Sequence, residues 1–359
     1  MKKEKALIFG IGKYFQSKKH ALEKEYDIVG FLDNHSQTKE IDGKSVYRVS
    51  DLMKLQYEKI VIMSTAYYME MANQLIFEGG GNYEAIEFGQ NIEPYIGDEA
   101  LYFNKKSRLG IDENGFFYAW EKNDRFEEDL KIYFEHKSEL SNIQAVWAKG
   151  EYNILENITD EKVDVFDIGM NLGGVSLWFA NHKIVENVYG VEPSESTYRK
   201  AEHNISINPI SRRKIQIFNV GLDNYDGQER ALYNEEMSCG FSTDQRHNDI
   251  SIKQYVDWVG MDIKNNRYID VTIRNAAGFL LERLGKNKVV VKMDCEGSEY
   301  HIFEELEKAN CIQKIWAYII EWHDDGPDYI VELLKKHGFA MLSMQDSSDK
   351  GMIYAFHQS

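Results

Sequence analysis

Asp167, Gly169, Asn171, Gly173, Glu192, Asn219, Asp294 and Glu321 stand at or just beyond the ends of short apolar runs in the second half of this 359-residue chain. In open α/β sheets ligands bind beyond the carboxyl ends of the strands, so these positions can reach a ligand. Glycines at 169 and 173 let the backbone turn sharply and approach that ligand closely. A glycine loop alone does not choose the cofactor, because dinucleotide enzymes use one too. The acids are more selective. A dinucleotide lays its pyrophosphate on a helix N-terminus, where a carboxylate would repel it. Asp167 therefore suits a cofactor that is cationic and free of phosphate, and S-adenosylmethionine, with its ammonium and sulfonium, is both. Glu192, ending the next strand, is placed to accept hydrogen bonds from two ribose hydroxyls. The competing reading makes Asp167 a helix cap and leaves Glu192 merely exposed. Acids at two consecutive strand ends weigh against it.

A second group, Asp294, Glu296 and Glu299 after one apolar run and His323 after the next, has the residue types of acid–base or metal chemistry. For Glu299, capping the following helix is an equally good reading, since acids are favoured at a helix N-terminus.

Alternating elements must hold these groups. Strands are expected at 163–167, 188–191, 214–220, 289–293 and 315–320, with helices at 174–182, 195–207, 298–309 and 328–337 between them and two closing strands at 340–344 and 352–356. Five parallel strands followed by an antiparallel pair match the seven-stranded methyltransferase architecture. The polar stretch between Asn219 and Arg267 reads as an insertion. Its Met237-Ser-Cys-Gly-Phe-Ser242 and Tyr255-Val-Asp-Trp258 fit a flap over the site or a simple anchor for a long loop. The first hundred residues alternate in the same way and predict a smaller Rossmann-like parallel sheet. Residues 99–160 read as a connector or cap, with a helix across 126–140 and aromatics suited to packing between domains. The expected division is thus 1–98, 99–160 and 161–359.

The segments Val165-Phe-Asp-Ile-Gly-Met-Asn-Leu-Gly173, Val191-Glu-Pro193, Val291-Lys-Met-Asp-Cys-Glu-Gly-Ser-Glu299 and Glu321-Trp-His323 resemble the FkbM family of methyltransferases, over about 200 residues. Met170 departs from the small residue usual there. The resemblance implies a class I methyltransferase fold and methylation of a hydroxyl on a sugar, glycolipid or secondary metabolite. It also implies that the Asp167–Gly173 loop and Glu192 hold the cofactor. A sugar hydroxyl is a poor nucleophile and needs a base or a Lewis acid. Either His323 takes the proton while a carboxylate orients its ring, or Asp294, Glu296 and His323 hold a divalent cation. The expectation favours the metal-free route, with Asp294, Glu296 and His323 as catalytic groups.

Ile8-Phe-Gly-Ile-Gly-Lys-Tyr14 with Gly30-Phe-Leu-Asp-Asn34 resembles the small Rossmann-like domains attached to bacterial sugar-modifying enzymes, which implies nucleotide-sugar recognition. A unit kept for packing or dimerisation fits equally, because the third glycine of a dinucleotide fingerprint is missing. Lys13 could meet a phosphate, and Asp33 stands where a ribose partner would lie.

Net charge of −17 at pH 7, with no clustered basic residues, argues against nucleic-acid substrates, whose phosphates need lysine and arginine. No apolar run reaches the roughly 20 residues of a membrane span. Cys239, Cys295 and Cys311 form no metal or disulfide pattern and suit a reducing cytoplasm. The chain is expected to be a cytoplasmic S-adenosylmethionine-dependent O-methyltransferase for a small-molecule or glycan acceptor, with a homodimer possible. The alternatives are an NAD-dependent sugar-nucleotide oxidoreductase working through the N-terminal domain, and a non-catalytic carbohydrate-assembly protein.

Overall fold

The computed structural model describes residues 2–92, 107–122, 128–149, 152, 159–238, 242, 248, 252, 263–345, 347 and 349–357. Contacts divide the chain into two compact units, Met1–Lys122 with Lys131–Glu135, and Asn123–Leu130 with His136–Ser359.

In the first unit, β1 (Lys5–Phe9), α1 (Lys13–Glu25) and β2 (Asp27–Leu32) are followed by a hairpin of β3 (Glu40–Ile41) and β4 (Lys44–Tyr47). Then come β5 (Lys59–Ile62), α2 (Tyr68–Phe77) and β6 (Ile86–Phe88). The sheet order is β3-β4-β2-β1-β5-β6, with β1 parallel to both neighbours. Phe15 and Leu22, seven positions apart on one face of α1, pack with Ala6, Ile8, Phe31 and Val61.

A separate three-stranded sheet joins β7 (Ser107–Ile111), β8 (Phe117–Glu121) and β9 (Leu130–Phe134). The helix expected across 126–140 is therefore a strand in part, and only α3 (Lys137–Gln144) is helical. Leu130, Ile132 and Phe134 are buried and the residues between them are less so, a period of two that fits a sheet. Phe117 packs against Tyr68, Phe88 and Phe134 inside the first unit, while Phe116 is exposed. Tyr102 and Phe103 lie outside the described residues.

The second unit holds β10 (Val163–Ile168), α4 (Gly174–Ala180), β11 (Val185–Val191), α5 (Glu195–Ser206) and β12 (Ile215–Phe218). Three further strands follow, β13 (Gly221–Asp223) and β14 (Gly227–Tyr233) within the insertion and β15 (Arg267–Asn275) after it, then α6 (Ala276–Leu281). The chain closes with β16 (Lys288–Met293), α7 (Glu299–Lys308), β17 (Ala317–His323), α8 (Asp328–Lys336), β18 (Phe339–Gln345) and β19 (Lys350–His357).

The seven-stranded sheet runs β12-β11-β10-β16-β17-β19-β18, with β19 antiparallel to both neighbours. Every residue of β10 is buried, as a central parallel strand covered on both faces requires. Phe166, Ile168, Val291, Met293, Phe303 and Trp322 belong to its core, each such burial contributing about 1.5–3 kcal/mol. The order reverses direction about β10, which places the carboxyl ends of β10, β11 and β16 around one crevice. The sheet β13-β15-β14 was not anticipated. Tyr255 and Trp258 of the insertion lie outside the described residues.

Candidate functional site

A cleft opens at these strand ends in the second unit. Its wall includes Gly169, Asn171, Glu192, Lys292, Asp294 and Glu296. Gly169 adopts φ +76°, and a Cβ there would lie 1.8 Å from the carbonyl oxygen of Asp294. Only glycine lets the loop after β10 pass so close to the loop after β16. Asn171 takes φ +49° and Gly173 φ +84°, which completes the turn into α4. Such a cradle of backbone fits a cofactor that must be approached closely.

Glu192 is buried to 7 % exposure yet lines the cleft. Its Oε2 accepts the Asn171 N–H at 3.2 Å and its Oε1 the Ser194 N–H at 2.9 Å. Burial lifts its carboxyl to about 7, against the pull of those two N–H groups. Asn219 does not reach the cleft wall. Its amide donates to the carbonyls of Glu192 and Pro193 at 2.9 and 3.0 Å, so it braces the segment that carries Glu192.

Asp167 differs most from expectation. It is fully buried, accepts the Ser176 hydroxyl at 2.6 Å and lies 3.1 Å from Lys292 Nζ. The cleft wall includes Lys292 and not Asp167. Asp167 and Lys292 are register partners on β10 and β16, so sheet pairing itself makes the ion pair. Lys292 also donates to the carbonyls of Gly169 at 2.7 Å and Ile168 at 3.3 Å. Burial would lower its ammonium, but Asp167 and Asp294 outweigh that and hold it above the ordinary lysine value. Asp167 thus anchors the glycine loop through a neutralised pair, and its charge does not face a ligand directly. Lys292 was missed from sequence, although a lysine within Val289-Val-Val-Lys-Met293 was a signal, since a fully buried lysine needs a partner.

Asp294, Glu296 and His323 come together. His323 Nε2 lies 3.4 Å from Glu296 Oε2 and 4.0 Å from both Asp294 Oδ1 and Glu321 Oε1. On its other side, Nδ1 lies 3.1 Å from Glu299 Oε1. Glu299 accepts the Cys295 and Gly297 N–H groups at 2.9 Å each, so it fastens the loop and orients the imidazole at once. Burial pushes the imidazole pKa down, yet Glu296, Glu299 and Asp294 more than offset this and raise it well above the usual value. Burial, then Glu321, lifts the Asp294 carboxyl to about 7, with Lys292 pulling the other way. His323 stands behind the wall, while Asp294, Glu296 and Glu321 form part of it. Glu139 of α3, 2.8 Å from Lys200 Nζ, also lines the cleft, and nothing in the sequence marked it.

In the first unit, Asp33 Oδ1 accepts the N–H groups of His35 and Ser36 at 2.8 Å each, which closes a turn after β2. Gly12 precedes α1 without a side-chain cap. No helix of the described residues is long and apolar enough to cross a membrane.

Residues 2–86 match the family described as C2185-like, N-terminal. Residues 167–341 match the Methyltransferase FkbM domain. The AMB antimetabolite synthetase AmbE of Pseudomonas aeruginosa is 25 % identical over 215 residues, which is 52 % of this chain and 10 % of that protein. The chain therefore spans about a tenth of that relative's length. Among solved structures, the methyltransferase FkbM of Methylobacillus flagellatus aligns over 99 % of this chain and 90 % of its own, at 10 % identity and a TM-score of 0.36. The M. capricolum TrmK, solved with S-adenosyl-homocysteine, aligns over 58 % of this chain and 68 % of its own, at 11 % identity and a TM-score of 0.34. Residues 167–341, which hold the glycine loop, Glu192, Asp294, Glu296 and His323, are an FkbM methyltransferase domain, and S-adenosylmethionine is its cofactor.

Proposed function

We propose that this domain methylates a hydroxyl oxygen of a saccharide, free or linked to a nucleotide or lipid. The observation that carries the reading is the convergence of Asp294, Glu296 and His323 at the cleft. A hydroxyl is a weak nucleophile, and it attacks only where a group stands ready to take its proton. Bound S-adenosylmethionine supplies the electrophilic methyl group. Gly169, Asn171 and Glu192 hold the cofactor, Glu192 by accepting from ribose hydroxyls, while Asn219 and the Asp167–Lys292 pair keep those groups in place. Asp294 and Glu296 mark the place where the acceptor hydroxyl is activated, with His323 behind them, oriented by Glu299. A wall bearing Glu139, Asp294, Glu296 and Glu321 suits an acceptor rich in neutral hydroxyl donors.

The test is a screen of free, nucleotide-linked and lipid-linked sugars with methyl-labelled S-adenosylmethionine, run on the wild type and on Asp294→Asn. The expected result is label on an acceptor oxygen, with kcat lowered about 100-fold or more in the variant and S-adenosylhomocysteine affinity within about threefold of wild type. Label on nitrogen or carbon, or an Asp294→Asn enzyme of normal kcat, would refute the assignment.

A further inference from the structure

We infer that Asp294, Glu296 and His323 bind one divalent cation of the Mg²⁺ or Mn²⁺ class at the acceptor end of the cleft. This rests on the reading of that end as the place where a hydroxyl is activated, and it replaces the metal-free route favoured from sequence.

One ligand atom from each residue lies within 4.8 Å of the other two. Around an octahedral ion with bonds of about 2.0–2.2 Å, neighbouring ligand atoms stand about 3 Å apart and opposite ones about 4 Å. The separations of 3.4 and 4.0 Å from His323 Nε2 to the carboxylates fall in that span. Two carboxylates with one imidazole are a donor set for hard or borderline cations, unlike the thiolate-rich sites that hold structural zinc.

The surroundings of His323 point the same way. Its side chain is only 7 % exposed, and Glu299 engages Nδ1 from the buried side. This is the carboxylate–histidine arrangement that fixes the tautomer of a metal-ligating imidazole and turns its other nitrogen outward. Nε2 is then aimed at a space bounded by Asp294, Glu296 and Glu321, three carboxylates around one nitrogen. Lys350, 3.3 Å from Glu321, and Lys292, 3.8 Å from Asp294, flank this space. The three acids of the space also face the cleft, so a cation held there keeps coordination positions open towards an acceptor hydroxyl. A cation in that position lowers the pKa of the hydroxyl it touches.

The experiment is a Mn²⁺ titration of the full-length chain followed by electron paramagnetic resonance, without cofactor or acceptor, alongside methyl-transfer assays with and without EDTA. One Mn²⁺ per chain is expected, weakened at least tenfold in Glu296→Gln, whose side chain is partly exposed and leaves the core intact. His323→Ala is expected to abolish binding, and Glu296→Gln keeps the test decisive if that variant does not fold. Transfer to the acceptor is expected to fall at least tenfold in EDTA and to return with Mg²⁺. Mn²⁺ binding unaffected by Glu296→Gln, or no stoichiometric binding, overturns the site. Full transfer to a hydroxyl in EDTA also overturns it and leaves the O-methyl-transfer reading standing. Stoichiometric, Glu296-dependent binding with no hydroxyl methylated upholds the site while removing that reading.

Discussion

Burial lifts the Glu192 carboxyl to about 7, so this group changes charge within the physiological range. The ribose-accepting role proposed for it belongs to the carboxylate, and a protonated Glu192 gives up part of its accepting capacity. Above pH 7 the group is ionised and binding is strong; as pH falls through 7 a proton must leave before the cofactor can bind. S-adenosylhomocysteine affinity is expected to be about tenfold weaker at pH 6 than at pH 8, and Glu192→Gln is expected to be weak at both values with no slope between them. Calorimetric titration across that range checks this, and a wild-type slope retained in Glu192→Gln would rule it out. The Asp167–Lys292 pair explains why the charge falls on Glu192. With Asp167 neutralised by its cross-strand partner, Glu192 is left as a buried acid on the cleft wall beside the glycine loop.

Among elements, the glycine loop after β10 shapes the cleft wall and is the proposed cradle of the cofactor. Gly169→Ala puts a Cβ 1.8 Å from the Asp294 carbonyl and forces φ +76° on an L-residue. The loop, its Lys292 hydrogen bonds and the Asp294 segment must all shift. The expected cost is at least about 2 kcal/mol in chemical denaturation and at least about tenfold in S-adenosylhomocysteine affinity. An unchanged midpoint and affinity would show that the two loops are not so closely joined. The loop was legible in the sequence because its glycines and acids sit at the ends of apolar runs such as Val163-Asp-Val-Phe, broken only by Asp164, and the unbroken Val289-Val-Val. The sheet β13-β15-β14 was not. Strand β14 runs through the exposed Gln228, Glu229 and Arg230 before its buried end at Ala231, Leu232 and Tyr233, so no regular alternation marks it. Its partner β15 does alternate, Ile269, Val271 and Ile273 turning inward between the exposed Asp270 and Thr272, so that strand was legible and was passed over. Which strands pair is set by distant segments, β15 with β13 and β14, and local patterning does not record that choice. The misread helix over 126–140 has the opposite cause. A real helix at Lys137–Gln144 and a five-residue strand before it lie so close that their charges blur into one helical pattern.

For the whole molecule, the second compact unit takes in α3 and begins well before the expected boundary at 161. Glu139 and Ile143 of α3 line the cleft, so residues read from sequence as a connector are part of the site wall. The net charge of −17 acts in the same direction as the acids of that wall and opposes polyanionic acceptors. Because β10, β11 and β16 end around one crevice, their loops meet at a single cleft, the proposed cofactor site. Calorimetric titration of the full-length chain with S-adenosylhomocysteine, beside Glu192→Ala, is the most direct check. One site per chain in the wild type, at least about 100-fold weaker in a Glu192→Ala protein of native circular dichroism, is the predicted result. Equal affinity in the two proteins would contradict it.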